Sequence, residues 1–391
     1  MTDVAALQAT LRDAVRGEVR FDRGARAAWS TDASNFRQVP VGVVLPRDVD
    51  DVVAAVDACR HHGAPITMRG GGTSLAGQAT NAGVIIDTSK HLNRIIALDA
   101  ARRTARVQPG VVLDALQHRA GNHGLAFGPD PATHDRCTLG GMIGNNSCGV
   151  HSVIGGRTSD NVERLDVVLY DGTRLTVGPT SPGELETIIA AGGRRGEIYG
   201  ALRDLRDHYA DRIRQRFPRI PRRVSGYNID ELLPENGFNV GRALTGTEGT
   251  CVTVLEADVR LIARPSHRAL VVIGYRDLGD AADHVPEILR HGPVALEGMD
   301  GVLFAPLSHQ GRLGQGLSML PEGRAFLVVE LGADGVSELS ERVRSLVASL
   351  DGGGTSRARV FEDASSRSRI WAVREEAVGA IARLPGGDFW P

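Results

Sequence analysis

Lysine is almost missing from this chain of 391 residues: of its 45 basic residues only Lys90 is a lysine, and 44 are arginines. Genomic base composition explains such a bias better than an arginine-specific function does. It still excludes Schiff-base chemistry and a phosphate-loop lysine everywhere but position 90. Cysteine is also scarce. Cys59, Cys137, Cys148 and Cys251 are scattered with no C-x-x-C pair, which excludes the usual zinc, iron–sulfur and dithiol patterns and reads as reduced, intracellular thiols. No window approaches the ~18 consecutive apolar residues of a membrane span. The N-terminus, MTDVAALQATLRDAVRGEV, has neither the basic nor the apolar region of a signal peptide and reads as an amphipathic helix. A soluble, cytoplasmic protein is expected, with peripheral attachment to the inner face of a membrane as a second option. Excess charge of one sign is absent too. A net charge of −2 argues against a general nucleic-acid or anionic-membrane surface, and the arginines are read as dispersed, with no run strong enough to override that balance.

Glycine is abundant, with 48 residues, and its densest use is at residues 66–80, ITMRGGGTSLAGQAT. Gly70, Gly71 and Gly72 follow a short apolar run; without Cβ atoms the chain there can take positive φ and turn its N–H groups toward an anion. That is the chemistry of a phosphate cradle, and a diphosphate cofactor is its natural guest. The dinucleotide fingerprint G-x-G-x-x-G does not fit, because Leu75 stands at the third glycine and no helical pattern follows. A Walker A loop fails for want of G-K-S/T. The cradle is therefore expected to be a loop between strands.

Along the chain, VGVVLP, DVDDVVAAVDACRHHG and PITM predict a β–α–β start, with Asp48 as N-cap and Gly63 as the helix stop. Residues 83–89 read as a buried strand, 94–98 and 103–108 as a hairpin, and VVLDALQHRAGNHG as a helix. Glycine-dense loops are expected at residues 138–149 (TLGGMIGNNSCG) and 154–162, then a hairpin around Asp171-Gly172 and a long helix over about 197–217, ended by Pro218 and Pro221. Beyond Pro265 come strand, helix, strand, strand and helix: LVVIGY, LGDAADHVPEILR, VALEGM, AFLVVELGA and VSELSERVRSLVASL. They predict an α+β unit with an antiparallel sheet layered by helices.

RGGGTSLAG, TLGGMIGNNSCG with GGRTSDNV, and GTEGT (residues 246–250) together resemble the PCMH-type, vanillyl-alcohol oxidase-like FAD-binding family. The resemblance implies an α+β fold: a PCMH-type FAD domain of two α+β subdomains at 35–265, preceded by a helical segment at 1–34. Part of an FAD-linked oxidase C-terminal cap would follow at 266–391. It implies FAD contacts from Arg69, Gly70, Gly71, Gly72, Thr73, Ser74, Gly77 and Gln78 in the first loop, and from Pro129. The second segment would add Thr138, Gly140, Gly141, Asn145, Ser147, Gly149, Gly155, Thr158, Asp160 and Val162, and the third Glu248 and Gly249. Some relatives tether FAD through a histidine where this chain has Thr73, so the cofactor is expected to be non-covalent. His151 and Cys148 lie near the second segment, where an ordinary loop role is the simpler reading.

RRVSGYN followed by ENGFNVGRALTGTEGT is most similar to the FAD-linked D-2-hydroxyacid dehydrogenase branch, in particular its large members with an iron–sulfur domain. The resemblance implies oxidation of D-lactate, glycolate or D-2-hydroxyglutarate by hydride transfer to flavin N5. Electrons would leave to a quinone, an electron-transfer flavoprotein or an iron–sulfur partner. A 2-hydroxycarboxylate calls for a guanidinium fork, so Arg222, Arg223 and Tyr227 are the catalytic candidates, at most one arginine serving as clamp, with Arg242 weaker. The branch's His-x-Gly-Asp-Gly stretch, which supplies metal ligands and a base, has no match here. His284 and His291 would sit about 10 Å apart along a helix at ~1.5 Å per residue and cannot share a metal ion. His61 and His62 end a surface helix. The chain stops at LPGGDFWP after a helical segment over 368–384, which reads as a cut through the cap. The catalytic histidines, metal ion and iron–sulfur cluster are then expected outside this sequence. The alternatives are a flavin-binding subunit or pseudoenzyme needing a partner chain, and a sugar or sugar-lactone oxidase on the same fold.

Overall fold

A computed structural model describes residues 3–301, 314–350 and 358–381, so the expected cut at residues 384–391 lies outside the described residues. The chain forms two compact units: Met1–Cys148 with Gly155–Ile262, and Gly149–Ile154 with Ala263–Pro391.

The first layer of the first unit is a four-stranded sheet of β1 (Glu18–Arg20), β2 (Gly42–Leu45), β3 (Ile66–Arg69) and β4 (Val84–Asp87), in the order β1-β2-β4-β3. β2, β4 and β3 run parallel and β1 adds an antiparallel edge. Helix Val49–His61 starts where the Asp48 carboxylate accepts from Asp51 N at 3.1 Å, and ends before Gly63, whose φ is +60°. Asp51 is buried, yet satisfied by the backbone N–H groups of Arg16 and Arg47 at 3.0 and 2.8 Å. The N-terminal stretch is more than a helical appendage. Leu7 and Leu11 of helix Val4–Ala14 are fully buried with Val44, Val52, Val56 and Ile86, and β1 completes the sheet.

The second layer is an antiparallel sheet built from β5 (Ile95–Asp99), β6 (Thr104–Val107), β8 (Val162–Val168), β9 (Arg174–Val177) and β10 (Thr253–Arg260), the two-residue β7 (Leu125–Ala126) lying between in sequence. Its order is β5-β6-β10-β8-β9. Leu113, Leu116, Leu139, Met142 and Tyr199 from the adjoining helices fill its core. The helix Pro182–Ala191 is absent from the elements expected above, although Ser181, Pro182 and Glu184 form a capping box with proline in the first turn. Gly192, at positive φ, separates it from helix Gly193–Arg216, whose first residue also takes positive φ.

On this sheet Arg106 binds three carboxylates from the neighbouring strands: Asp166 at very short range, Glu256 at 2.6 Å and Asp258 at 3.5 Å. Burial lowers its pKa, but the carboxylates outweigh that and hold it above the ordinary value. An Arg106→Leu chain is expected to lose about 1–2 kcal/mol at pH 7, because three like charges then face one another across strands. Part of the loss should be recovered near 1 M salt, where the screening length falls to ~3 Å. Urea unfolding at low and high salt measures the difference; an equal loss at both would refute the electrostatic cause.

After β11 (Ile262–Ala263), the second unit is an antiparallel sheet of β12 (His267–Tyr275), β13 (Ala295–Asp300), β14 (Ala325–Ala333) and β15 (Ala358–Phe361), in the order β13-β14-β12-β15. Side chains alternate along β12. Ala269, Val271 and Ile273 face helices Leu278–Arg290 and Val336–Leu350, whereas Leu270 and Val272 face Ile370 and Val373 of helix Ala364–Ile381. Both faces are covered, which is why these strands read as continuous apolar runs. No helix among the described residues is long and apolar enough to cross a membrane.

Candidate functional site

β3 ends at Arg69 and delivers the three glycines directly into a loop that returns to β4 without a helix. An added Cβ at Gly70 would lie 2.0 Å from Thr138 Oγ1, and one at Gly71 would lie 2.2 Å from the Arg136 carbonyl oxygen. Gly72 has φ +64° and Gly77 φ +82°, and a Cβ at Gly77 would meet the Phe36 ring at 2.9 Å. Ala33 N donates to Gly72 O at 3.0 Å. Below the loop, the Arg69 guanidinium donates to Ala79 O at 3.1 Å, and Trp29 Nε1 donates to Asp87 at 2.6 Å. Burial pushes the Arg69 pKa down, opposed by Asp87 and Asp32. Among the described residues no carboxylate pairs with Arg69 within 4 Å, so the guanidinium beside Gly72 feels Asp87 and Asp32 only at longer range.

The second segment corrects the sequence reading, for TLGGMIGN is a helix, Leu139–Asn145, and not a loop. Thr138 Oγ1 accepts from Gly141 N at 3.3 Å, and Asn146 closes the helix at φ +56°. Gly140 is needed because a Cβ would lie 2.6 Å from Pro109. The fully buried Asn146 accepts from Ser159 N at 2.9 Å, and Ser147 O accepts from both the N–H and the hydroxyl of Thr158, at 3.0 and 2.8 Å. Gly155 crosses the chain just before Pro129: a Cβ on it would sit 2.5 Å from Gly128 Cα. Asp160 is ion-paired with Arg157 at 2.9 Å, ahead of Val162 at the start of β8. Gly149 belongs to the other compact unit.

The third segment docks onto that helix. Gly246 N donates to Ile143 O and Glu248 N to Gly144 O, both at 2.8 Å, and Gln78 Nε2 donates to Glu248 Oε1 at 3.3 Å. Glu248 and Gly249 take positive φ. All three glycine-rich segments thus meet in the first unit, through Gly70 and Gly71 against residues 136–138, and through Gln78 and helix Leu139–Asn145 against Glu248. Among the described residues, several buried polar atoms there have no hydrogen-bond partner: Gln78 Oε1, Asn146 Nδ2, Ser159 Oγ, Asn161 Oδ1, Asn228 Oδ1 and Arg242 Nε. Orphaned donors and acceptors, a partly buried arginine with no directly paired carboxylate and a loop with no room for a Cβ at Gly70 or Gly71 fit a polar, anionic guest such as FAD.

The expected clamp is more constrained. Arg223 is 9 % exposed, donates from Nη2 to both Asp230 oxygens at 2.7 and 2.6 Å, and stacks over Phe217 at 4.8 Å. Its charge is therefore already matched; Arg222 also has a partner, but is exposed. Tyr227 is 48 % exposed, and its hydroxyl lies 2.6 Å from Thr250 Oγ1, tying the SGYN segment to GTEGT. Arg242 Nη2 donates to Asp160 O at 3.4 Å, and its Nη1 lies 4.0 Å from the buried Glu231, whose pKa burial raises.

The histidines weighed above are placed structurally. His61 Nδ1 meets Asp57 O at 3.0 Å, His62 Nε2 meets Thr10 Oγ1 at 2.9 Å, and His284 Nδ1 meets Asp280 O at 2.8 Å. Among the described residues no group of three His, Cys, Asp or Glu side chains is arranged for a metal ion. Burial pushes the Cys59 and Cys137 thiols up to about 12, so both are inert. His151 lies in the second unit, with Nε2 3.5 Å from Glu330, a carboxylate that also accepts from Arg268 at 3.0 Å and Trp371 Nε1 at 3.3 Å. Sequence gives no signal for that group, since Glu330 sits inside an apolar strand.

Comparison with known proteins identifies two domains along the chain. Residues 40–178 match the family model described as an FAD binding domain, and residues 264–389 match that of the FAD linked oxidases, C-terminal domain. D-2-hydroxyglutarate dehydrogenase of Pseudomonas putida is 31% identical over 97% of this chain and 39% of its own length; glycolate oxidase subunit GlcD of Bacillus subtilis is 28% identical over 95% of the chain and 68% of its own. The chain thus spans about two fifths of the length of the first of these relatives. The solved structure of alkyldihydroxyacetonephosphate synthase covers 93% of the chain with a TM-score of 0.62 at 16% identity, a likeness of fold alone. With an FAD-binding domain ahead of an oxidase C-terminal domain, the chain belongs to the PCMH-type family of FAD-linked oxidases.

Proposed function

We propose that the chain binds FAD non-covalently in its first unit and serves the oxidation of a D-2-hydroxycarboxylate such as D-2-hydroxyglutarate, glycolate or D-lactate. The convergence of the three glycine-rich segments around orphaned polar atoms carries this reading. In it, residues 35–265 are the flavin domain and residues 266–391 contribute to the substrate cap. Arg69, Gly70 to Gly72, Thr73, Ser74, Gly77 and Gln78 hold the diphosphate. Pro129, residues 138–148 and 155–162, and the Glu248-Gly249 turn line the rest. A bound flavin supplies the hydride acceptor. Arg222, with its exposed fork, holds the substrate carboxylate, Arg223 keeps the segment in place through Asp230, and Tyr227 orients it through Thr250. Thr73 offers no nitrogen for a covalent tether.

Saturating FAD should raise the melting temperature of the purified chain; at a ligand concentration of about 100 times Kd the linkage is worth about 2.7 kcal/mol. The flavin should also be released on denaturation. Anaerobic addition of D-2-hydroxyacids, with the L-enantiomers as control, tests the substrate class. Bleaching by a sugar or sugar lactone in preference to any hydroxyacid would overturn it. The relative named as a glycolate oxidase subunit favours a second reading, in which the chain works as the flavin subunit of a complex.

A further inference from the structure

We propose that residues 205–220 form a docking surface for a bilayer bearing anionic phospholipid head groups. Reading the arginines as dispersed fails at residues 212–223, RIRQRFPRIPRR, which hold six arginines and no acidic residue. The structure separates them. Arg214 is held by Glu235 at 2.8 Å and by Asp211 at 3.5 Å, and Arg223 is buried on Asp230. Arg222 is exposed and has a partner. Arg212, Arg216 and Arg219 are exposed, and among the described residues none has a carboxylate within 4 Å. The acids nearby on the same helix, Asp204, Asp207 and Asp211, are paired with Arg203, Arg206 and Arg214.

These cations share their strip with apolar side chains. Leu205, Tyr209, Arg212 and Arg216 recur at steps of four, three and four, so they lie along one line of helix Gly193–Arg216. Leu205 is 38% and Tyr209 39% exposed. Pro218 and Pro221 bar further helix, and between them Ile220 projects at 59% exposure beside Arg219. Guanidinium groups match phosphate oxygens, and an exposed isoleucine, leucine and tyrosine match the boundary between head groups and acyl chains. Nucleic acid would use the cations but not the aliphatic side chains. Phe217, the aromatic ring inside the run, is already covered by Arg223. The attachment is peripheral and does not depend on the FAD reading.

Cosedimentation with vesicles of phosphatidylcholine alone, or mixed with phosphatidylglycerol, tests it. The chain should bind only the mixed vesicles at about 25 mM salt and be released near 1 M, where the screening length falls to ~3 Å. Arg212→Gln, Arg216→Gln and Arg219→Gln together should weaken binding on the order of 100-fold, about a factor of five per arginine. Ile220→Ser should weaken it several-fold while leaving the salt dependence intact. Failure to bind the mixed vesicles, undiminished binding of the triple variant, or insensitivity to salt would each overturn the proposal. So would a single-stranded oligonucleotide or a polyglutamate chain that displaces the vesicles at equal charge concentration, since that assigns the strip to another class of partner. All four positions are exposed, so an unchanged melt is expected, and the salt series on the unaltered chain keeps the outcome readable if a variant misfolds.

Discussion

A Gly71→Val chain is expected to purify folded but without flavin, its affinity for FAD reduced on the order of 100-fold. The cause is steric and local. The first side-chain carbon would sit 2.2 Å from the Arg136 carbonyl oxygen and 3.0 Å from its carbon, backbone atoms that cannot rotate away. The loop must then leave residues 136–138, and with it go the N–H groups of Gly70 to Gly72. Gly71 itself is exposed, so little core is disturbed and the unliganded melting temperature should barely change. Gly200→Ala is the matching control: nothing lies within 4 Å of the added carbon, and inside helix Gly193–Arg216 alanine should stabilise by about 0.5–1 kcal/mol with no effect on FAD. Fluorescence titration with FAD and parallel melts measure both. Retention of near-native affinity by Gly71→Val would show that the loop does not hold the cofactor.

Glu330→Ala should cost the second unit about 3–5 kcal/mol, the largest stability effect anticipated here. Glu330 is 1 % exposed at the centre of β14, where it accepts from Arg268 and Trp371 and faces His151. Its removal leaves Arg268 beside Arg264 and Arg367 with no carboxylate; burial and these like charges already lower the pKa of Arg264, against Glu330. Burial pushes the Glu330 pKa up, but His151, Arg268 and the Trp371 donor outweigh it and hold it below the ordinary carboxylate value. The sign follows. A depressed folded-state pKa gives stability that is complete above the unfolded value of about 4.3 and is lost as pH falls through the folded one. The unaltered chain should therefore lose stability in acid by this route and Glu330→Ala should not, so the gap between the two narrows as pH falls. Amide exchange in β12 and β14 localises the effect. A difference below about 1 kcal/mol at pH 7, or one that does not narrow in acid, would contradict it.

Much of the architecture was legible because its signals are local. Asp48 and Gly63 bracket helix Val49–His61, and the double-sided burial of β12 and β14 shows as apolar runs, broken in β14 by Glu330. Helix Leu139–Asn145 was not legible, because three glycines in seven residues oppose a helix by about 1 kcal/mol each, and only close packing against Pro109 and the capture of Gly246 and Glu248 offset that. β1, three residues long, carries too short a period to read. The segments proposed to hold FAD stand out through glycine, whose absent side chain is itself the signal. The partners of Arg223 and Glu330 were not, since ion pairing depends on where distant residues meet. Arg222 and Arg223 look equivalent in sequence, and only Asp230 tells them apart.

Equilibrium titration of the purified chain with FAD, followed by quenching of flavin fluorescence and by the rise in melting temperature, tests the central claim most directly. One FAD per chain, released on denaturation and lost in Gly71→Val but not in Gly200→Ala, is the predicted result. No saturable binding, or binding that both variants retain equally, would contradict the assignment of the cofactor to the convergence of these three segments.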